Sequence, residues 1–355
     1  MARRVVLTFG ASLGAATLWG CQLLLSFSDG ASGSVAADAA ASDSGVDGAV
    51  DAPVNDPFVS HDGSAAWVAV SPSSIYWLSI KGAAIKRVSK TSRAENTVVT
   101  RPGQTVSDLI ASSGDDLFWI ETGPDEDART SCRIMGLFHG ASTPSVLYSP
   151  TKSTDLKHLS FGKKELFAVS LNQFVRVDLG PPLSSSAGEI GLTTDGLGNY
   201  GSDVFYTYLS ATPGRNEIVA LGNPNRLLVN ELYVARELAV DDTRVYFVQG
   251  TPDASTSRIS AVDRNANGVS GDSVPTLASG EQNPIALAIY RPGLNASEIV
   301  WANAETGAIR ELVLGADGGA ETVATARQPN RVATDDDGIY WSSSDGVTWL
   351  PRPGR

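Results

Sequence analysis

An all-β, seven-bladed β-propeller built from four-stranded antiparallel blades is the fold that this 355-residue chain predicts. Three observations lead there. A small residue recurs at Ala69, Ala111, Ser160, Gly198, Ala239, Ala288 and Ala333. Behind it comes a pair of apolar residues: Tyr76-Trp77, Phe118-Trp119, Phe167-Ala168, Phe205-Tyr206, Tyr246-Phe247, Val300-Trp301 and Tyr340-Trp341. In six units the pair starts seven residues on, and only the sixth unit stretches the gap to twelve, with Arg291 to Ser297 inserted. From Ala69 to Ala333 the period averages 44 residues, the length of a propeller blade. Six or eight blades are the alternatives.

The first strand of each unit surrounds the small residue, as in Val68-Ala69-Val70 and Leu238-Ala239-Val240. First strands converge on the propeller axis, where volume per residue is scarce, so Ala, Gly and Ser suit them. Turn formers follow, for example Asp241-Asp242-Thr243 and Asp335-Asp336-Asp337-Gly338, which fit tight hairpins. The apolar pair marks the second strand. Adjacent residues on a strand point to opposite faces, so two large apolar neighbours require cover on both faces. Third strands repeat apolar residues three apart: Ile85/Val88, Ile134/Leu137, Phe174/Val177, Ile218/Leu221, Ile259/Val262, Ile309/Leu312 and Val347/Leu350. Fourth strands are expected at 97–99, 145–147, 189–192, 227–229, 274–277 and 321–323. The seventh unit has no room for a fourth strand before Arg355. Open edges invite aggregation, so the N-terminal strand near 57–62 is expected to pair with Val347–Leu350 and close the ring.

The N-terminus reads as three parts. Residues 1–20 have the charged (Arg3-Arg4), apolar and small-residue pattern of a secretory signal. Leu18-Trp19-Gly20-Cys21 resembles a bacterial lipobox, which makes Cys21 the expected lipidation site, with a retained anchor helix as the alternative. Gln22 after the cysteine implies sorting to the outer membrane. Residues 21–56 read as an acidic Ala/Ser/Asp/Gly-rich tether. From Ser28 to Pro57 there is no aromatic residue, no Lys and no Arg, but six Asp. Such a stretch cannot offset its ordering entropy by burial, and as a coil it would reach roughly 30 Å. The propeller occupies residues 57–355.

Without residues 1–20 the chain carries 25 basic and 39 acidic side chains, a net charge near −14. Nucleic acid demands the opposite sign, so no nucleic-acid partner is expected. Of two cysteines, Cys132 would remain unpaired, in an apolar strand pattern that favours a buried, inert thiol.

Ile75-Tyr76-Trp77, Phe118-Trp119, Tyr246-Phe247 and Ile339-Tyr340-Trp341, with Ala239-Val240-Asp241 ahead of one of them, resemble YWTD, NHL and TolB-like propeller repeats. The Thr-Asp that would follow the pair is absent: Leu78-Ser79, Ile120-Glu121 and Ser342-Ser343 stand there. No functional residue is therefore carried over. Leader, acidic tether and propeller together look like the exported lipoproteins of myxobacterial-type genomes.

One segment resembles a calcium loop. Asp263, Asn265, Asn267 and Asp272 offer oxygen ligands, and Gly268 permits a sharp turn. Against that, Val274 stands where an EF-hand has its bidentate Glu, and a polar hairpin loop explains the same residues. Calcium at these four residues is the one cofactor considered. The Asp335–Asp337 run occupies the same hairpin slot as Asp241-Asp242 and reads as turn capping, while Asp115-Asp116 and Asp125–Asp127 read as solvated loop charge. Only three histidines occur, His61, His139 and His158, and no nucleophile elbow, zinc helix, phosphate loop or quinone-cofactor signature is present. No catalytic residue is assigned. Longer connections between second and third strands in units two (122–131), four (210–216) and five (249–257) mark one face as a possible partner surface.

The sequence thus leads to a monomeric, lipid-anchored binding or scaffold protein of the cell envelope, presenting a propeller face to a protein, peptide or glycan. The alternative is a propeller-fold lyase or hydrolase with acid and base residues scattered over several blades. Converging Asp, Glu, His or Tyr with perturbed ionisation in a central pocket would favour the enzyme, and an apolar plug would favour binding.

Overall fold

The computed structural model describes residues 65–352 apart from 80–83, 125–129, 151–154, 191–192, 211–214, 223, 251–255 and 294–295. Cys21, the tether, the closing strand near 57–62, Asp125–Asp127 and most of the three long connections lie outside the described residues. The chain forms a seven-bladed β-propeller. Its inner strands are Ala65–Val70, Thr105–Ala111, Lys157–Phe161, Thr193–Tyr200, Ala235–Val240, Pro284–Tyr290 and Arg331–Thr334. Each pairs antiparallel with a second strand that carries the apolar pair. Blade seven is three-stranded among the described residues, ending in Gly346–Pro351.

The apolar pairs explain the stacking. Among the described residues seven hydrophobic clusters hold the ring, each lying between two neighbouring blades. In every pair the first residue faces the following blade and the second faces the preceding one. Tyr76 packs with Trp119 and Leu117 of blade two, while Trp77 packs with Tyr340 and Val347 of blade seven. Phe118 meets Leu166 of blade three and Trp119 turns back to blade one. Full burial of side chains of this size contributes about 1.5–3 kcal/mol each, and Trp119, Trp301 and Phe247 are fully buried. The cluster joining Val68, Ile75 and Trp77 to Tyr340 and Val347 closes the ring by packing between blades one and seven.

Strand placement departs from the sequence reading in three places. In blade two Phe118 pairs with Ile110, not Ala111, because the hairpin turn at 112–116 is one residue longer than the turns of blades one, three, five and seven. The fourth strand of blade three is Ser184–Glu189, ahead of the expected 189–192, since the third strand ends at Asp178 and a short turn suffices. In blade five the fourth strand is Thr276–Glu281. The segment before it does something the sequence did not suggest. Val269-Ser270 leaves blade five and pairs in parallel with Val229-Asn230 on the outer edge of blade four. The inner strands of blades four and five also touch in parallel at Asp195 and Arg236. Gly198 is small for that reason: a Cβ there would lie 3.1 Å from the carbonyl oxygen of Leu238. Among the described residues no helix is long and apolar enough to cross a membrane.

Candidate functional site

Ala69, Ala111, Ala288 and Ala333 line a central channel of about 340 Å³. Six of the seven inner strands carry a register shift near their start. Two residues before the inner-strand residue that faces each apolar pair stand Trp67, Asp108, His158, Gly196, Glu237, Ala286 and Arg331. Trp67, Asp108, His158, Glu237 and Arg331 all line the channel. Inner strands begin on the face that carries the connections between second and third strands, so these five side chains come from five blades to one mouth of the channel.

The backbone there is unusual. Asp108, His158 and Glu237 have φ of 52°, 51° and 52°. This left-handed conformation costs a residue with a side chain about 1–3 kcal/mol and recurs at functional sites. A β-bulge re-aims a side chain, and here three bulges on three blades aim titratable groups into the same cavity.

Asp108 is buried, with its Oδ2 accepting the Leu159 N–H at 2.6 Å. His158 Nδ1 stands 4.0 Å from the same oxygen. Burial pushes the Asp108 carboxyl up to about 6; Arg331 and the Leu159 N–H pull the other way, and the charge of Glu237 pushes it up further. Arg331 sits opposite. Its Nη1 lies 3.1 Å from Glu237 Oε1 and donates to the Ile285 carbonyl at 2.6 Å, and its guanidinium lies 4.0 Å from the centre of the Trp67 ring. The mouth therefore presents a carboxyl that takes up or gives up a proton near neutrality, an imidazole beside it, and a positioned guanidinium stacked on an indole. These groups can bind a small polar molecule and can move a proton on it.

Other buried carboxylates are fastened. Glu121, fully buried, accepts from Arg101 Nε at 2.8 Å and Nη2 at 2.6 Å and pairs with Arg133 at 2.9 Å. Glu281 accepts from Trp301 Nε1 and Asn303 Nδ2, both at 2.8 Å. Cys132 is a buried free thiol whose pKa burial raises.

The residues singled out in sequence fall elsewhere. Asp263 ends the third strand of blade five, Asn265 and Asn267 lie in the connection to its fourth strand, and Asp272 in the short 3-10 helix Gly271–Ser273. Asp263 Oδ1 accepts the Asn265 N–H at 2.7 Å, a turn contact. The carbonyls of Arg264 and Ala266 accept from the Arg226 guanidinium at 2.9 and 2.6 Å, so a side-chain cation sits on the loop's backbone oxygens. Gly268 has φ of +66°, and its N–H bonds to the Leu227 carbonyl, directing the strand onto blade four. Among the described residues no three His, Cys, Asp or Glu gather in a way that could hold a metal. Asp335 caps its hairpin, accepting from the N–H of Asp337 at 2.9 Å and of Gly338 at 3.3 Å. Asp115 and Asp116 are half-buried and tie neighbouring turns rather than standing in solvent. Asp115 bonds Ser71 and Ser73 of blade one, and Asp116 accepts the His139 N–H at 2.9 Å.

No protein-family model matches the sequence, and no curated protein does. Solved structures do resemble it. Virginiamycin B lyase from Staphylococcus aureus superposes with a TM-score of 0.57 at 11% identity, covering 82% of this chain and 96% of that one. The hydrazine synthase of Kuenenia stuttgartiensis gives 0.62 at 11%, covering 86% and 99%. The PQQ-bound aldose sugar dehydrogenase of Streptomyces coelicolor gives 0.52 at 15%, covering 83% and 96%. A lyase, a synthase and a dehydrogenase share these coordinates at such low identity, so the likeness establishes the propeller fold and leaves the chemistry to the site itself.

Proposed function

We propose that this protein binds a small polar molecule in the mouth of its central channel, between Asp108, His158, Glu237, Arg331 and Trp67. One observation carries the reading: three titratable residues from three blades are held in left-handed backbone at bulges that turn them into one cavity. Strain of that kind survives where something selects for it. The volume is at the lower end of small-molecule sites. Arg3-Arg4, the apolar run and Cys21 support export and lipid anchoring to the outer membrane, with residues 21–56 as spacer. The sequence reading expected a propeller face presented to a protein, peptide or glycan; in this reading the ligand is instead a small molecule inside the ring.

A second reading is a lyase or hydrolase, favoured by the Asp108–His158 pair. A carboxyl with a pKa of about 6 is suited to general acid–base work near neutrality. His158 would hold or accept the proton, and Arg331 would stabilise charge on the substrate.

The test is a melting-temperature screen of small carboxylic acids, lactones and sugars against the mature protein. A ligand at a hundred times its Kd stabilises by about 2.7 kcal/mol, so a hit should raise the melting temperature by several degrees. Arg331→Met should abolish the rise. A hit that survives both Arg331→Met and Asp108→Asn binds somewhere else, and the proposal fails. Turnover of a hit with a pH profile whose limb near pH 6 disappears in Asp108→Asn would promote the enzyme.

A further inference from the structure

The opposite mouth of the channel carries a second feature that the reading above does not use. A cleft of about 640 Å³ opens among the hairpin turns of blades three, four and six. Lys163 comes from the turn after the inner strand of blade three, and Tyr200 stands at the end of that of blade four. Arg264 follows the third strand of blade five, whose last residue, Asp263, pairs with Arg244 at the start of the second strand. Arg291 opens the insertion that made the sixth unit longer than the rest. That insertion is secured to blade five by the Arg291 Nη1 bond to the Val240 carbonyl at 2.9 Å and the Ala296 N–H bond to Asp241 at 2.9 Å.

The two guanidiniums converge on one ring. Arg264 lies 4.9 Å and Arg291 5.7 Å from the centre of Tyr200. Arg264 is largely buried, and its Nε and Nη1 meet no hydrogen-bond partner among the described residues. Its Nη2 stands 3.7 Å from Asp242, too far for a hydrogen bond. A buried donor left unmatched costs about 1–3 kcal/mol, and more when charged. Among the described residues, three cations and a single carboxylate, Asp203, line the cleft, in a chain whose net charge is −12. The local sign is the reverse of the molecule's, which steers anions to this spot.

We propose that this cleft binds a phosphate group, free or carried as an ester on a small organic molecule. The Arg264 guanidinium brings a planar, permanent charge and N–H donors suited to phosphate oxygens. Arg291 supplies a second charge across the Tyr200 ring, and the exposed Lys163 stands at the rim. The cleft is larger than one oxyanion, leaving room for the remainder of an ester beside Tyr200. The assignment is independent of the site at the other mouth.

Titration calorimetry at low salt, with inorganic phosphate, glucose 6-phosphate and glucose as probes, tests it. Phosphate should bind, the ester at least as tightly, and glucose not at all; an ester no tighter than phosphate would make the free anion the ligand. Arg264→Gln should weaken binding at least tenfold and Lys163→Gln about threefold. Arg264→Lys, which keeps the charge and loses the fork, should fall between wild type and Arg264→Gln. Lys163 is exposed, so its variant reports on binding even if an arginine variant folds poorly. Asp108→Asn, at the far mouth, should leave the affinity unchanged. Silence of both anions at 20 mM, or equal affinity in wild type, Arg264→Gln and Lys163→Gln, would overturn the proposal.

Discussion

Two carboxylates at the two ends of the channel wall, Asp108 and Asp241, are both buried, yet their ionisation moves in opposite directions. Burial works to raise both. At the hairpin end Asp241 Oδ1 accepts the N–H groups of Thr243 and Arg244 at 2.7 Å, and Oδ2 accepts the Tyr246 hydroxyl at 2.8 Å and the Ala296 N–H at 2.9 Å. Those donors outweigh burial and hold the Asp241 carboxyl below its usual range. At the bulged end Asp108 accepts the Leu159 N–H, and burial wins. The lesson is one of donor supply. Where the fold lavishes hydrogen bonds on a carboxylate it is a fastener, and where it withholds them the group is left able to exchange a proton.

That contrast is broken most forcefully at Asp241. Asp241→Ala removes the acceptor for a hairpin turn, a buried tyrosine and the blade-six insertion together. Orphaning several buried donors should cost about 3–5 kcal/mol, lowering the melting temperature by about 10 °C for a domain of this size. A drop below 3 °C would show that the turn holds without its cap.

Asp108→Asn should do the reverse. The folded state binds the Asp108 proton more tightly than the unfolded chain, whose carboxyl titrates near 3.9. Stability is therefore fully present below about pH 4, declines as pH rises towards about 6, and stays low above it. A shift of that size corresponds to about 3 kcal/mol at pH 7.5. Asparagine keeps the acceptor for Leu159, tolerates left-handed backbone, and sheds the buried charge. A gain of about 1–2 kcal/mol is expected at pH 7.5, shrinking by most of its size at pH 4, as read from melting curves at the two values. An equal gain at both would detach Asp108 from the ionisation argued here. Lost ligand binding alongside the gain would mark it as a functional residue kept at a stability cost.

The ring and its stacking were legible because they rest on repetition. Each pair such as Tyr76-Trp77 demands cover on both faces, and the structure supplies a blade on each side. The site rests on a departure from repetition, which one unit cannot reveal. Yet the signal existed: Trp67-Val68-Ala69, Asp108-Leu109-Ile110, His158-Leu159-Ser160, Gly196-Leu197-Gly198, Glu237-Leu238-Ala239, Ala286-Leu287-Ala288 and Arg331-Val332-Ala333 share one apolar-then-inner pattern with a variable first residue. Taking Ala111 for Ile110 hid the blade-two member. The extra residue in the hairpin turn at 112–116 shifted the count by one and so obscured the alignment. The Asp263–Asp272 segment was ambiguous for a different reason. Alternating Asp and Asn with a Gly serve a turn as well as a metal, and no local pattern announces that Arg226 from another blade will occupy the carbonyls.

The smallest test compares backbone rather than charge. At the hairpin end the left-handed position in the turn of blade four is Gly201, with φ of +62° and open space where a Cβ would go. At the bulged end the same region of conformational space holds His158. Gly201→Ala should cost about 1 kcal/mol, from φ alone. His158→Asn places a residue that accepts left-handed backbone more readily, and should gain about 0.5 kcal/mol while weakening ligand binding. Both changes are single substitutions at positive φ, so a denaturation experiment that found the same sign for the two would refute the view that His158 stores strain the Gly201 turn avoids. Opposite signs would locate that strain in the residues facing the channel, where relieving it removes the imidazole from beside Asp108.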